Sequence, residues 1–139
     1  MEVIYCHYDG YPAHNGAVLL EHYRDEEKTR KLIALGDLSS LRKEVEPTEG
    51  TEHSIDKPQK EVTIAYHRDW GEDRQALQPR RFSSRSEYTK AMKEDSCWIE
   101  HVYLFDTATN AWLWSPVRKG KGLCFKPLTE KVVEDDRVA

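Results

Sequence analysis

"CWIEHVYLFDTATNAWLWS", residues 97–115, is the stretch on which the fold class turns. Both ends are rich in aromatic and β-branched residues, the types that suit a pleated, half-buried surface. The five residues between them, "DTATN" at 106–110, read as a hairpin loop. Two strands joined so closely must run antiparallel. Trp112 and Trp114 fall on one face of the second strand, and Trp98 is expected in the first, so these rings should fill a core across the hairpin.

Working outward, "SSRSEYTKAMKE" (83–94) carries a capping box, Ser84 with Glu87, ahead of a short helix. Beyond the hairpin come a basic turn, "RKGKG" (118–122), then "LCF", and a closing helix at "PLTEKVVED". Toward the N-terminus, "VIYCHY" (3–8) alternates as a strand, and "DGYP" (9–12) ends it. Asp9 is expected to accept backbone N–H bonds there, and Gly10 to relieve a strained φ. Asn15-Gly16 can start the helix that "AVLLEHY" continues.

"RDEEKTRKLIALGD" (24–37) is the clearest helix, with Asp25 as N-cap, Glu26 and Glu27 at the positive end of the dipole, and Gly36 as the stop. "DLSSL" reads as a turn. Residues 42–60, with Pro47, Gly50 and Pro58, read as a mobile loop, "EVTIAYH" (61–67) as a strand, and 68–82 as a second polar loop. Leu19, Ile33, Leu35, Ile64 and Leu104 are the expected core. The sum is one α+β domain, 1–139, with a largely antiparallel sheet and three to four helices; strands 3–8 and 61–67 should share that sheet. Regular βαβ alternation and a Gly-rich loop are both missing, which removes the case for a Rossmann fold or a P-loop.

The bulk numbers narrow the function. Hydrophobic residues are 38% and aromatic residues 10% of the 139, enough for a folded core. The 21 basic and 25 acidic residues leave a formal charge of −4, which argues against strong duplex nucleic-acid binding. No apolar run approaches the roughly 20 residues of a membrane helix, so no membrane role is expected. Three scattered cysteines, Cys6, Cys97 and Cys124, suit a reducing cytoplasm and form no zinc knuckle.

Several side chains could carry chemistry. Cys6, His7, Asp9 and His14 are metal-ligand types, but Gly10 and Pro12 break the face they would share, and neither metal nor cofactor is expected. "YHRDWGED" (66–73) offers His67 as a base, and a small hydrolase or transferase centred on His67 and Asp9 is an alternative that lacks a clear nucleophile. Arg80 and Arg81 stand just before a helix start and suit an anion. Tyr8, Tyr11 and Trp70 lie in loops, where an aromatic ring is a stacking surface for a base or a partner. The expected ligand- or partner-binding set is therefore Tyr8, Asp9, Tyr11, His14, His67, Arg68, Trp70, Arg80 and Arg81. The first seven of these, Tyr8 to Trp70, should matter more for function than for folding.

The series "YCHYDGYPAHNG", "TIAYHRDWGED" and "HVYLFDTATNAWLW" with "FKPLTEKV" resembles a family of small uncharacterised bacteriophage proteins. Its pattern is Y-C-H-[WY]-D-G-Y-P-x-H-N-G before a helix and Y-x-R-D-R-G-E after a strand. Trp70 departs from it, standing where Arg is common. The resemblance implies a phage accessory protein in the cytoplasm of an infected bacterium. Such a protein would act by binding a host defence protein or other host machinery, or by sequestering a nucleotide-like immune signal, as a monomer or a homo-oligomer.

Overall fold

Seven short strands and five α-helices make up the chain in the computed structural model, which describes residues 1–139. β1 (Glu2–Val3) leads through a π-helical turn (Pro12–Gly16) into α1 (Ala17–His22) and α2 (Glu26–Ala34). β2 (Leu38–Ser40) is followed by an irregular stretch, then β3 (Ile64–Ala65) and α3 (Tyr66–Trp70). A 3₁₀ turn (Gln75–Leu77), β4 (Arg80–Arg81) and α4 (Arg85–Glu94) precede the hairpin of β5 (His101–Asp106) and β6 (Ala111–Pro116). β7 (Lys126–Pro127) and α5 (Glu130–Arg137) close the chain.

The class is α+β and the strand pairing within sheets is antiparallel, in three small sheets: β1–β4, β2–β3 and β5–β6–β7. Five α-helices stand where three to four were expected. Residues 3–8 and 61–67 do not pair directly. "DLSSL", read as a turn, is instead strand β2 and lies between them: Leu38 bridges Cys6 in parallel and pairs with Ala65 antiparallel. The expected strand 61–67 shrinks to β3 because a helix begins at Tyr66. The Asp69 carboxylate reaches back one turn and accepts the Ala65 N–H at 2.8 Å, which ties the N-cap residue to the first turn. Trp98 lies outside β5, in a turn with φ 67°, and is 98% exposed, so it takes no part in the cross-hairpin packing.

The core gathers Leu19, Tyr23, Leu32, Leu38, Trp112 and Leu128 with smaller neighbours. Its polar atoms are paired: Tyr23 Oη donates to Arg42 O at 2.6 Å, and Trp112 Nε1 donates to Tyr23 O at 2.6 Å. Burial pushes the Tyr23 phenol up to about 12. Leu19 and Ile64 are buried as expected, but Ile33, Leu35 and Leu104 are half-buried. Ile33 and Leu104 face an open cleft rather than the closed core. Residues 42–60 are irregular yet tied down. Val45 is buried, and the Gln59 amide donates to the carbonyls of Thr48, Thr51 and Glu52.

Gly36 ends the α2 segment at φ +77°. A Cβ there would lie 2.3 Å from Leu77 O, whose partner is the Asp37 N–H at 2.8 Å. Gly36→Ala therefore meets both backbone strain and a backbone collision. It is expected to cost more than about 2 kcal/mol in urea denaturation; a loss of only a few tenths would contradict this packing.

Candidate functional site

The stretch 5–16 is a clasp whose polar groups hold one another. Asp9 itself takes the left-handed conformation, φ 58°, and Gly10 does not, so the strain falls one residue earlier than expected. Asp9 O accepts the Asn15 N–H at 3.2 Å, while its carboxylate accepts the Tyr11 hydroxyl at 3.1 Å rather than a backbone N–H. Asn15 is buried and donates to Tyr8 O at 3.3 Å and Cys6 Sγ at 3.5 Å. Its Oδ1 accepts from His14 Nδ1 at 2.8 Å. Burial pushes the Cys6 thiol above its usual value, which disfavours the thiolate.

The clasp leaves its aromatic rings outside. Tyr8 and Trp70 are each 54% exposed, Tyr11 45% and Tyr5 37%. The His7 ring sits edge-on to Tyr8 at 4.5 Å, and the Tyr66 and Trp70 rings lie 5.6 Å apart. Burial raises the Tyr66 phenol, Ser39 lowers it through a hydrogen bond, and the neighbouring phenols of Tyr8 and Tyr5 raise it further. Ser39 O in turn accepts the Tyr8 N–H at 3.0 Å, so the two segments share one surface.

Beside this surface runs a cleft of about 1030 Å³. The N-terminal segment forms one wall and β5 the other, with α2 along the side. Its floor is the core itself: Leu19, Leu32, Leu38, Leu41 and Trp112 all reach it. Tyr103 crosses it and donates its hydroxyl to Gly10 O at 2.7 Å, and burial pushes that phenol far above its usual value. His101 accepts from Trp114 Nε1 at 3.1 Å through Nδ1, and burial holds its imidazole below 6.5.

The nine expected binding residues divide. Tyr8, Tyr11 and Trp70 are exposed, as is Tyr5, and Asp9 holds Tyr11. Arg68 turns inward: it bonds Asp69 twice, at 2.8 and 3.0 Å, and the carbonyls of Val45 and Thr63, so four of its five N–H donors are used. Arg80 is spent on Asp37 at 3.0 Å, and Arg81 stays exposed near Glu2 at 3.5 Å. His67 bonds Glu72 O at 3.0 Å, and no hydrogen bond or ion pair joins it to Asp9. His14 lines a second, basic hollow of about 300 Å³ with His22, Arg42, Lys43, Lys60 and Glu61.

No three His, Cys, Asp or Glu side chains are grouped to hold a metal ion, and no helix is long and apolar enough to cross a membrane. Sequence reasoning missed the cleft and the basic hollow. The former was visible only as an apolar strand, and the latter joins residues as far apart as His14 and Lys60. No family model matches the chain, and no match was found among curated proteins or solved structures.

Arg68→Ala is expected to cost about 3 kcal/mol, because it strands the buried Asp69 carboxylate and two carbonyls. Trp70→Ala should stay within about 0.5 kcal/mol of the parent in the same urea titration. The reverse order would make Trp70 the structural residue.

Proposed function

We propose that this chain is a non-enzymatic accessory protein of bacteriophage origin that binds a host protein complex, countering a defence or redirecting host machinery in the infected cell. The phage setting comes from the motif resemblance. Binding by occupancy is supported by one observation: the chain exposes the aromatic rings of Tyr5, Tyr8, Tyr11 and Trp70, and two of them, Tyr5 and Tyr11, line an apolar cleft that opens onto the core. Tyrosine and tryptophan supply large contact area at small entropic cost, which is why they anchor interfaces. The acid–base candidates have other duties, with His67 on a backbone carbonyl and Asp9 on Tyr11.

The basic hollow supports a second reading, capture of a nucleotide-like signal. Arg42, Lys43 and Lys60 converge there without a carboxylate within ion-pair distance, in a chain that is acidic overall.

The test is affinity capture of the tagged chain from infected cells, paired with a phage-survival assay. Tyr8→Ala/Trp70→Ala should keep its melting temperature and lose host-protein capture and phage protection at least tenfold. Unchanged capture would count against the aromatic surface. A thermal shift with cyclic or ADP-ribose-like nucleotides, abolished in Lys43→Ala/Lys60→Ala, would favour the second reading. Turnover of a nucleotide would contradict both.

A further inference from the structure

β5 has only one hydrogen-bonded neighbour. It pairs with β6, and nothing pairs with its other side. The Val117 N–H to Glu100 O bond, 2.9 Å, fixes the parity of that ladder. With the register Val102–Ser115 and Leu104–Leu113, the even residues of β5 bond to β6. The N–H and C=O groups of His101, Tyr103 and Phe105 therefore point away from the hairpin, and none has a protein partner. All six residues of β5 are half-exposed, and all six line the cleft.

The opposite wall cannot supply the missing strand. Its backbone is committed elsewhere: β1 pairs with β4, Tyr5 N–H goes to Asp37 Oδ1 at 2.9 Å, and the N–H groups of His7 and Tyr8 go to Leu38 O and Ser39 O. The result is a row of free main-chain groups facing a cavity whose floor is apolar core. That is the geometry in which an added strand is held by main-chain bonds while alternate side chains fill pockets.

The charges at the ends of β5 describe the occupant. Glu100 and Asp106 flank the edge, Asp9 stands on the other wall, and none of them is in an ion pair. Glu2 and Glu26 are already near Arg81 and Arg30. Arg85, over the Phe125 ring at 5.7 Å, is the one lining Arg or Lys without a carboxylate. A second copy fits less well. Antiparallel pairing of two β5 edges centred on Tyr103 uses all the outward groups, but sets Glu100 against Asp106 of the other copy, and like charges opposite one another destabilise a sheet.

We infer that the cleft takes an extended peptide segment with alternating apolar residues and a basic residue at each end, added as a strand to the free edge of β5. This rests on the binding reading above and names the form of the partner. About six residues would span β5, with their apolar face over Leu32, Leu38 and Trp112.

The test is calorimetric titration of the intact chain with the capped peptide KVTVTVK. Saturable one-to-one binding is expected, at least tenfold weaker for EVTVTVE and for the His101→Pro chain, which loses an outward N–H but no main-chain bond to β6. His101→Ala, which keeps that N–H, should bind within about threefold of the parent. Should His101→Pro melt early, peptides N-methylated on alternate amides replace it: one of the two alternating sets must abolish binding. Equal binding by all these forms, or no binding up to about 1 mM, overturns strand addition. So does a dimer in sedimentation that the peptide leaves intact. The binding reading fails separately, by unchanged host-protein capture in Tyr8→Ala/Trp70→Ala.

Discussion

The Asp37 carboxylate accepts the Tyr5 N–H at 2.9 Å and the Arg80 guanidinium at 3.0 Å. Its own N–H goes to Leu77 O at 2.8 Å, and its carbonyl accepts the Tyr66 N–H at 3.3 Å. One buried residue thus joins the N-terminal segment, the 3₁₀ turn, β4 and the start of α3. Burial raises its carboxyl above 3.8, against the lowering by the Tyr5 N–H and by Arg80. The group is costly to desolvate and is kept because hydrogen bonds to a charge are strong, about 1.5–3 kcal/mol each.

This arrangement decides what the molecule presents. Once Tyr5 is clipped to Asp37, residues 5–8 run along β2 rather than along β5. The cleft between them is the consequence, and Tyr5 and Tyr11 are left at its border. Asp69 plays a matching part on the other side. Besides Ala65 N–H and Arg68, it lies 3.3 Å from His53 Nε2. His53 Nδ1 accepts the Gln59 N–H, so Nε2 carries the proton and points it at Asp69 and Thr63 O. That ties the irregular 42–60 stretch to α3 and holds Trp70 on the surface.

Local signals were legible and long-range ones were not. Asp25, Ser84 and Thr129 cap their helices with side chain to backbone N–H bonds three residues on; the first two could be read directly, and the helix behind the third was expected. The β5–β6 hairpin followed from a short turn between aromatic runs. β2 escaped because its apolar content is small and the partners of Leu38, Ala65 and Cys6, lie 27 and 32 residues away. Arg68 looked like a free loop cation because its acceptor Val45 O lies 23 residues back. Among the candidate site residues, the exposed aromatics were readable from their place beside turn residues. The open edge was not, since an apolar strand in sequence does not say how many neighbours it has.

The account stands on β5 being an uncovered edge in the free chain. Native-state amide hydrogen exchange reads that directly, residue by residue. Val102, Leu104 and Asp106, bonded to β6, should be protected, while His101, Tyr103 and Phe105 exchange at least tenfold faster. Equal protection along all six residues would mean that the edge is already covered, and would contradict the open cleft and the binding mode built on it.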